Sequence, residues 1–319
     1  MQRVLFVDDE PYLLSGLRRM LRGQRKCWDM SFIEDPVEAL EFLEREKVDV
    51  VVSDMRMPRV DGAQLLNRVR EIHPETARLG LSGFSESSLL LRGLGSIHQY
   101  LSKPCESDRL VKVLESMLAA SARLTPRARW LVASLGGLPC GQHAVSRLSR
   151  ELEAVEPDLA VLQSLISQDL GLATKVLQLV HSSFFGNPRQ LADVGEACQM
   201  LGVARLQSLL RQSGCFVSVE GVPEHFLINY AHQANLRARA QTEGSADALV
   251  AFLRDIGQLV LLAHDATPYL ELLGKYPHGP ELWAEERRRY GNSNPELANY
   301  LLTLWGFPEE VTTAMLPSE

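Results

Sequence analysis

Val50-Val51-Val52-Ser53-Asp54-Met55-Arg56-Met57-Pro58 decides the fold of the first third of this chain. Three consecutive β-branched residues without polar interruption are the pattern of a strand covered on both faces, as in a parallel sheet flanked by helices. An acid closes the run, and Met57-Pro58 followed by Asp61-Gly62 supplies a turn into the next helix. In an open α/β sheet, ligands sit beyond the carboxyl ends of the strands, so Asp54 falls where chemistry is expected.

Working outward, Val4-Leu5-Phe6-Val7 ends in Asp8-Asp9, Leu79-Gly80-Leu81 ends in Ser82, and a fifth run ends in Lys103-Pro104. Between the runs, Leu13, Leu14, Leu17 and Leu21, then Val37, Leu40 and Leu43, then Leu110, Val113, Leu114, Met117 and Leu118 recur at helical spacing. The alternation predicts five strand-helix units in a doubly wound, five-stranded parallel sheet over residues 1–120. That topology would gather Asp8, Asp9 and Asp54 at one edge of the sheet. Like charges so placed are costly unless a cation offsets them, and hard oxygen ligands suit Mg²⁺. The Lys103 ammonium and the Ser82 hydroxyl could then stabilise phosphoryl oxygens. Taken singly, each acid is equally well a helix cap; the joint pattern points to a site.

After residue 120 the pattern changes. Ser121-Ala122-Arg123-Leu124-Thr125-Pro126 is short, polar and closed by proline, which sets a linker over 121–128. Beyond it helical periodicity dominates, as in Leu148/Leu152/Val155, Leu159/Leu162/Leu165/Ile166 and the apolar stretch from Ala248 to Leu262. Residues 129–319 are therefore expected to form an all-α domain. The formal charge of −7 argues against a nucleic-acid-binding module, which shows a basic face to phosphates. The five cysteines are scattered and never spaced as CxxC, as in a reduced, cytosolic protein. The start lacks the features of a signal peptide, and no apolar run approaches the ~20 residues of a membrane span.

The acids, hydroxyl and lysine, in this order, resemble the receiver domain of two-component response regulators. The resemblance implies that Asp54 accepts a phosphoryl group from a sensor histidine kinase or a small phosphodonor. Asp8, Asp9, Asp54 and the backbone carbonyl of Arg56 would hold Mg²⁺, with Lys103 binding phosphate. Ser82 would be the switch hydroxyl and Tyr100 the aromatic that swings inward on activation. Gly83 beside Ser82 leaves room for access.

Downstream, Gln168-Asp169, the turn Ser182-Ser183-Phe184-Phe185-Gly186, the Leu201-Gly202 pair and Trp305-Gly306-Phe307-Pro308 resemble the HDOD output domain of bacterial regulators. That family is related to HD phosphohydrolases, whose metal needs a histidine, an adjacent His-Asp pair and a later aspartate. Here His232 is the candidate first histidine, but the pair reads Arg254-Asp255. A guanidinium cannot ligate a metal. The domain is thus expected to be a non-catalytic interaction module for a downstream signalling protein, with His232 and Asp255 serving packing or capping. The alternative is a divergent metal-dependent phosphohydrolase acting on a nucleotide or cyclic dinucleotide through His232 and Asp255. Glu285 to Arg289 reads as a solvated helix face. A homodimer through the last receiver helix is open, since the Leu110–Leu118 face suits packing on its own sheet equally well. The chain stops at Glu319, where relatives commonly continue into another helix, so this end is read as either a truncation or a short member.

Overall fold

The computed structural model describes residues 1–83, 93, 95–182, 193–211, 219–242, 244–276 and 278–317. The N-terminal part is a five-stranded parallel sheet in the order β2-β1-β3-β4-β5. Its strands are β1 (Gln2–Val7), β2 (Trp28–Ile33), β3 (Val50–Asp54), β4 (Ala77–Ser82) and β5 (Gln99–Ser102). Helices α1 (Pro11–Met20), α2 (Pro36–Arg45), α3 (Gly62–Ile72) and α4 (Ser107–Ala122) follow β1, β2, β3 and β5. The fourth expected unit, after β4, runs into residues outside the described set.

Local chemistry explains the starts of these helices. Pro36 follows Asp35, whose carboxylate accepts the Val37 amide at 2.9 Å. Asp61 and Gln64 form a reciprocal capping box at the start of α3. Such caps satisfy amides that lack an intrahelical partner. The predicted periodicities hold with three exceptions: Leu13 and Val37 face outward and Val155 is fully exposed beyond the end of its helix at Leu152, while Leu14, Leu21, Ala39 and Leu43 fill the core. The face Leu110, Leu114, Met117 and Leu118 of α4 is buried.

The remainder is helical: α5 (Pro126–Ala133), α6 (Gln142–Leu152), α7 (Leu159–Ser167), α8 (Leu170–His181), α9 (Val194–Leu210), α10 (Glu224–Arg239), α11 (Ala246–Leu253), α12 (Ile256–Lys275), α13 (Pro280–Tyr290), α14 (Asn294–Leu304) and α15 (Glu309–Ala314). Helix α8 is buried along its whole length, and α12 carries the fully buried Ile256, Leu259, Val260, Leu261 and Leu262. The polar Thr174, Lys175 and Gln178 are buried with α8 and donate to the carbonyls of Leu170, Gly136 and His98. Gly257 lets α12 meet α14, since a Cβ there would lie 1.9 Å from the Asn294 carbonyl oxygen. Gly202, at φ 69°, breaks α9 into two segments, which fits the Leu201-Gly202 pair opening a new helix. No helix among the described residues is long and apolar enough to cross a membrane.

The two parts are in contact. Helix α14 packs on α4 and α5. The joining segment is held rather than free: Asn292 accepts the Thr125 amide at 2.9 Å and donates to the Arg123 carbonyl at 3.3 Å.

Candidate functional site

Strand order places the switch in chain direction between β1 and β3, where an open α/β sheet forms its crevice. The buried runs Val4–Val7 of β1 and Val50–Val52 of β3 are apolar, so the acids emerge only at or just after their carboxyl ends. Val7 pairs in register with Ser53, which brings the residues after β1 beside the end of β3. Asp8, Asp9 and Asp54 consequently offer carboxylate oxygens that all lie within 4.8 Å of one another. Among the described residues this is the sole group of three such side chains able to hold a metal ion. Asp8 and Asp54 are buried and Asp9 is partly exposed. Hard carboxylate oxygens at this spacing fit a small divalent cation such as Mg²⁺.

Lys103, directly after β5, closes the site. Its ammonium donates to Asp8 at 2.7 Å and pairs with Asp54. Burial alone would lower the lysine, yet its bonds to Asp54 and Asp8 hold it above the ordinary lysine value. Burial raises the Asp54 carboxyl above the usual carboxylate range, outweighing the downward pull of Lys103. One ammonium therefore serves two carboxylates directly, and a third stands beside them. The pocket is short of positive charge.

The loop after Asp54 is built to stay out of the way. The Arg56 amide donates to the Asp54 carboxylate at 3.0 Å. A Cβ on Gly62 would sit 2.1 Å from the Asp54 carbonyl oxygen, so only glycine allows α3 to start beneath the site. Ser82 ends β4, one residue beyond Leu81, the register partner of Asp54, and its carbonyl accepts the Lys103 amide at 2.7 Å.

Tyr100 is buried in the inward position. Its ring lies over Gly80, its register partner on β4, where a Cβ would approach the ring to 2.9 Å. A Cβ on Gly93 would come within 2.5 Å of the tyrosine hydroxyl. The two glycines shape the slot for the ring. Sequence reasoning missed both, although a glycine inside an apolar run is a signal of close approach.

The opposite end of the same two strands was missed altogether. Arg78, near the start of β4, and His98, just before β5, are both buried against the helical part. The Arg78 guanidinium donates to the carbonyls of Pro74 and Thr76 at 3.1 and 2.7 Å, to that of Ser96, and across the boundary to that of Ala133. Among the described residues, no carboxylate is a hydrogen-bond partner of this guanidinium. The His98 Nδ1 accepts the Arg78 amide at 3.0 Å, so the ring proton sits on Nε2 and donates to the same Ala133 oxygen, also at 3.0 Å. Gln178 on α8 donates to the His98 carbonyl at 3.1 Å. Burial, then the neighbouring guanidinium, depresses the His98 imidazole well below the ordinary value. Burial likewise pulls Arg78 down to about 9, still cationic at neutral pH. A charged residue inside the run Ala77–Ser82 was the legible sign.

In the helical part, Asp169 caps α8 through the Leu172 amide at 2.9 Å and also accepts the Gly141 amide at 2.8 Å. It is a buried clamp. Asp255 pairs with Arg237 on α10 at 2.9 Å rather than with its neighbour Arg254, whose side chain is exposed. His232 and Asp255 line two different cavities. The Phe184-Phe185-Gly186 turn lies outside the described residues. The arginines after Glu285 form exposed pairs along α13 and to Glu296.

Comparison with known proteins agrees with this division. The model of the response regulator receiver domain matches residues 4–115, and that of the HDOD domain matches residues 138–319, more than half of the chain. The hydrogenase transcriptional regulatory protein HoxA of Bradyrhizobium diazoefficiens is 37% identical over 114 residues, covering 35% of this chain and 23% of that protein. The transcriptional regulatory protein GlrR of Escherichia coli is 33% identical over 130 residues, covering 40% and 28%. The chain thus spans about a quarter of the length of these curated relatives. Among solved structures, the signal receiver domain of an HD domain-containing protein from Pseudomonas fluorescens is 29% identical, covering 38% of this chain and 98% of that one, with a TM-score of 0.36.

Proposed function

Since the chain belongs to the HDOD domain family and carries a response regulator receiver domain ahead of that domain, we propose that it is a phosphorylation-controlled response regulator whose Asp54 switches a non-catalytic HDOD interaction module. The observation that carries the reading is the convergence of Asp8, Asp9 and Asp54 within 4.8 Å, with Lys103 bonded to two of them. These acids and the Arg56 carbonyl would hold Mg²⁺, which would supply charge that offsets the carboxylates and the phosphoryl oxygens. The protein's own part is positional. The Asp54 carboxylate attacks phosphorus as the donor's P–N bond (phosphohistidine) or P–O bond (small phosphodonor) breaks and its electron pair leaves with the donor, while Lys103, already bonded to Asp8 and Asp54, is placed to donate to the phosphoryl oxygens. Ser82 and Tyr100 act as the switch, on neighbouring strands whose other ends meet the helical domain.

The phosphodonor is a sensor histidine kinase or a small phosphorylated metabolite, and the setting is the cytoplasm. We divide the chain into a receiver at 1–120, a linker at 121–128 and an output domain at 129–319; the downstream partner is a signalling protein. The competing reading, a divergent metal-dependent phosphohydrolase, needs His232 and Asp255 to converge, and their separate cavities favour the module. Two measurements test this. Asp54→Asn loses stoichiometric phosphoryl incorporation; label retained by that variant rejects Asp54. The full chain with Asp8→Ala, purified without chelator, contains no stoichiometric transition metal; finding one would turn the output domain back into a candidate hydrolase.

A further inference from the structure

The loop that follows Asp54 keeps its shape at a backbone cost. Arg59 has φ 68°, and among the described residues it is the only non-glycine residue with a positive φ. The Val60 amide donates to the Pro58 carbonyl at 2.8 Å, so the chain closes a three-residue turn centred on Arg59. A positive φ at the centre makes this the rare, strained form of such a turn, and arginine lacks the freedom that glycine has there. Strain of this kind persists only where the surroundings hold it.

The contact that holds it comes from a different strand-helix connection. The Arg59 guanidinium donates to the Asp35 carboxylate and forms an ion pair with it. The other Asp35 oxygen accepts the Val37 amide at 2.9 Å, which fixes the acid at the start of α2, ahead of Pro36. The Val37 amide, and after it the Arg59 guanidinium, keep the Asp35 carboxyl below its ordinary value. The two ends of the loop are anchored separately. The Met55 amide donates to the Leu81 carbonyl on β4 at 3.0 Å, and the Gly62 amide donates to the Met55 carbonyl at 3.1 Å where Asp61 caps α3. With its ends fixed, the conformation in the middle of the loop decides where the Arg56 carbonyl points.

We propose that Arg59 and Asp35 are positioning residues for the metal site, their ion pair holding the strained turn and with it the Arg56 carbonyl in the arrangement that binds the cation. This rests on the reading of Asp8, Asp9, Asp54 and that carbonyl as the Mg²⁺ site. Neither side chain is a ligand. A cation that binds one loop conformation loses apparent affinity in proportion to the chains that leave it. The arginine side chain is 62% exposed, and exposed pairs are modest, so the change is a few-fold and not an abolition.

Mg²⁺ titration of the full chain, followed through the amide resonances of Met55 and Arg56, tests the proposal. Wild type is expected to bind Mg²⁺ and to shift both resonances. Asp35→Asn keeps the helix cap without the charge, and Arg59→Met keeps the length of the side chain without its donors. Each should weaken Mg²⁺ about threefold. The double variant should be no weaker than either single one, because both act through one contact. Arg59→Lys, which keeps the ion pair, should recover most of the affinity. At saturating Mg²⁺, Arg59→Met should incorporate phosphoryl groups within about twofold of the wild-type rate, since the loss lies in metal affinity. Asp35→Ser, which also caps, replaces Asp35→Asn if that variant does not fold. Wild-type Mg²⁺ affinity in both single variants overturns the proposal and leaves the metal site standing. Additive losses in the double variant, or a labelling rate that stays low at saturating Mg²⁺, overturn it as well. A wild type whose Met55 and Arg56 resonances ignore Mg²⁺ rejects the metal reading itself, and the proposal with it.

Discussion

The two ends of one sheet handle charge in opposite ways. At the carboxyl ends of the strands, Asp8, Asp9 and Asp54 crowd around Lys103, with one acid open to solvent and too few cations for the carboxylates. At the amino ends of β4 and β5, Arg78 and His98 are buried with carbonyl dipoles as partners. The first arrangement leaves a deficit that a metal and a phosphoryl group can fill. The second leaves nothing to fill, but it holds only while several carbonyls from two domains stay in place. An uncompensated surface cluster recruits ligands, whereas a cation satisfied by dipoles reports on geometry. Because β4 carries both Arg78 and Ser82, and β5 follows His98 and carries Tyr100, the same two strands join both ends.

The contrast can be broken at either end. The largest expected effect is at the acidic end: Lys103→Met should slow phosphoryl incorporation roughly 10²-fold or more, as for loss of a preorganised donor to developing charge. A rate within a few-fold of wild type, in a quench-flow labelling assay, would remove Lys103 from the chemistry. At the basic end, Arg78→Met strips donors from buried carbonyls on both sides of the boundary and should cost about 3 kcal/mol in urea unfolding. An unchanged midpoint would mean that the interface does not depend on this residue. Between the ends, Gly80→Ala drives a Cβ into the Tyr100 ring, at a cost of about 1–3 kcal/mol. Its melting temperature should fall, and Tyr100→Ala in the same background should recover part of the loss.

The smallest effect is a pH dependence. The folded His98 titrates below its unfolded value near 6.5, so the unfolded state takes up protons first as pH falls. Stability is full above about pH 6.5 and declines below it, down to the folded pKa. His98→Asn should flatten that decline in unfolding curves taken from pH 7 to 5, even if its absolute stability is lower. A slope equal to wild type would assign the dependence elsewhere.

What could be read from the sequence follows from how local each feature is. Val50–Asp54 declares its strand, its burial and its terminal acid within five residues, and the other strand ends add their polar residues by the same logic. The grouping of Asp8, Asp9, Asp54 and Lys103 was therefore legible, whereas Gly80 and Gly93 were not, because their meaning depends on where a distant ring packs. The division into a sheet part and a helical part was visible as a change of periodicity. The interface was not, because Arg78, His98, Ala133 and Gln178 meet through tertiary packing and share no spacing. The pairing of Asp255 with Arg237 was hidden for the same reason: the neighbour in sequence, Arg254, points to no local partner, while the true one comes from another helix.

The most direct test joins both ends in one experiment. The full chain is treated with acetyl phosphate and Mg²⁺, its phosphoryl content is read by intact mass, and amide hydrogen exchange is followed at 96–101 and 128–136. Wild type should take up one phosphoryl group and change its exchange in both segments, while Asp54→Asn should do neither. A phosphoryl adduct on Asp54→Asn, or a phosphorylated wild type with both segments unchanged, would contradict the account.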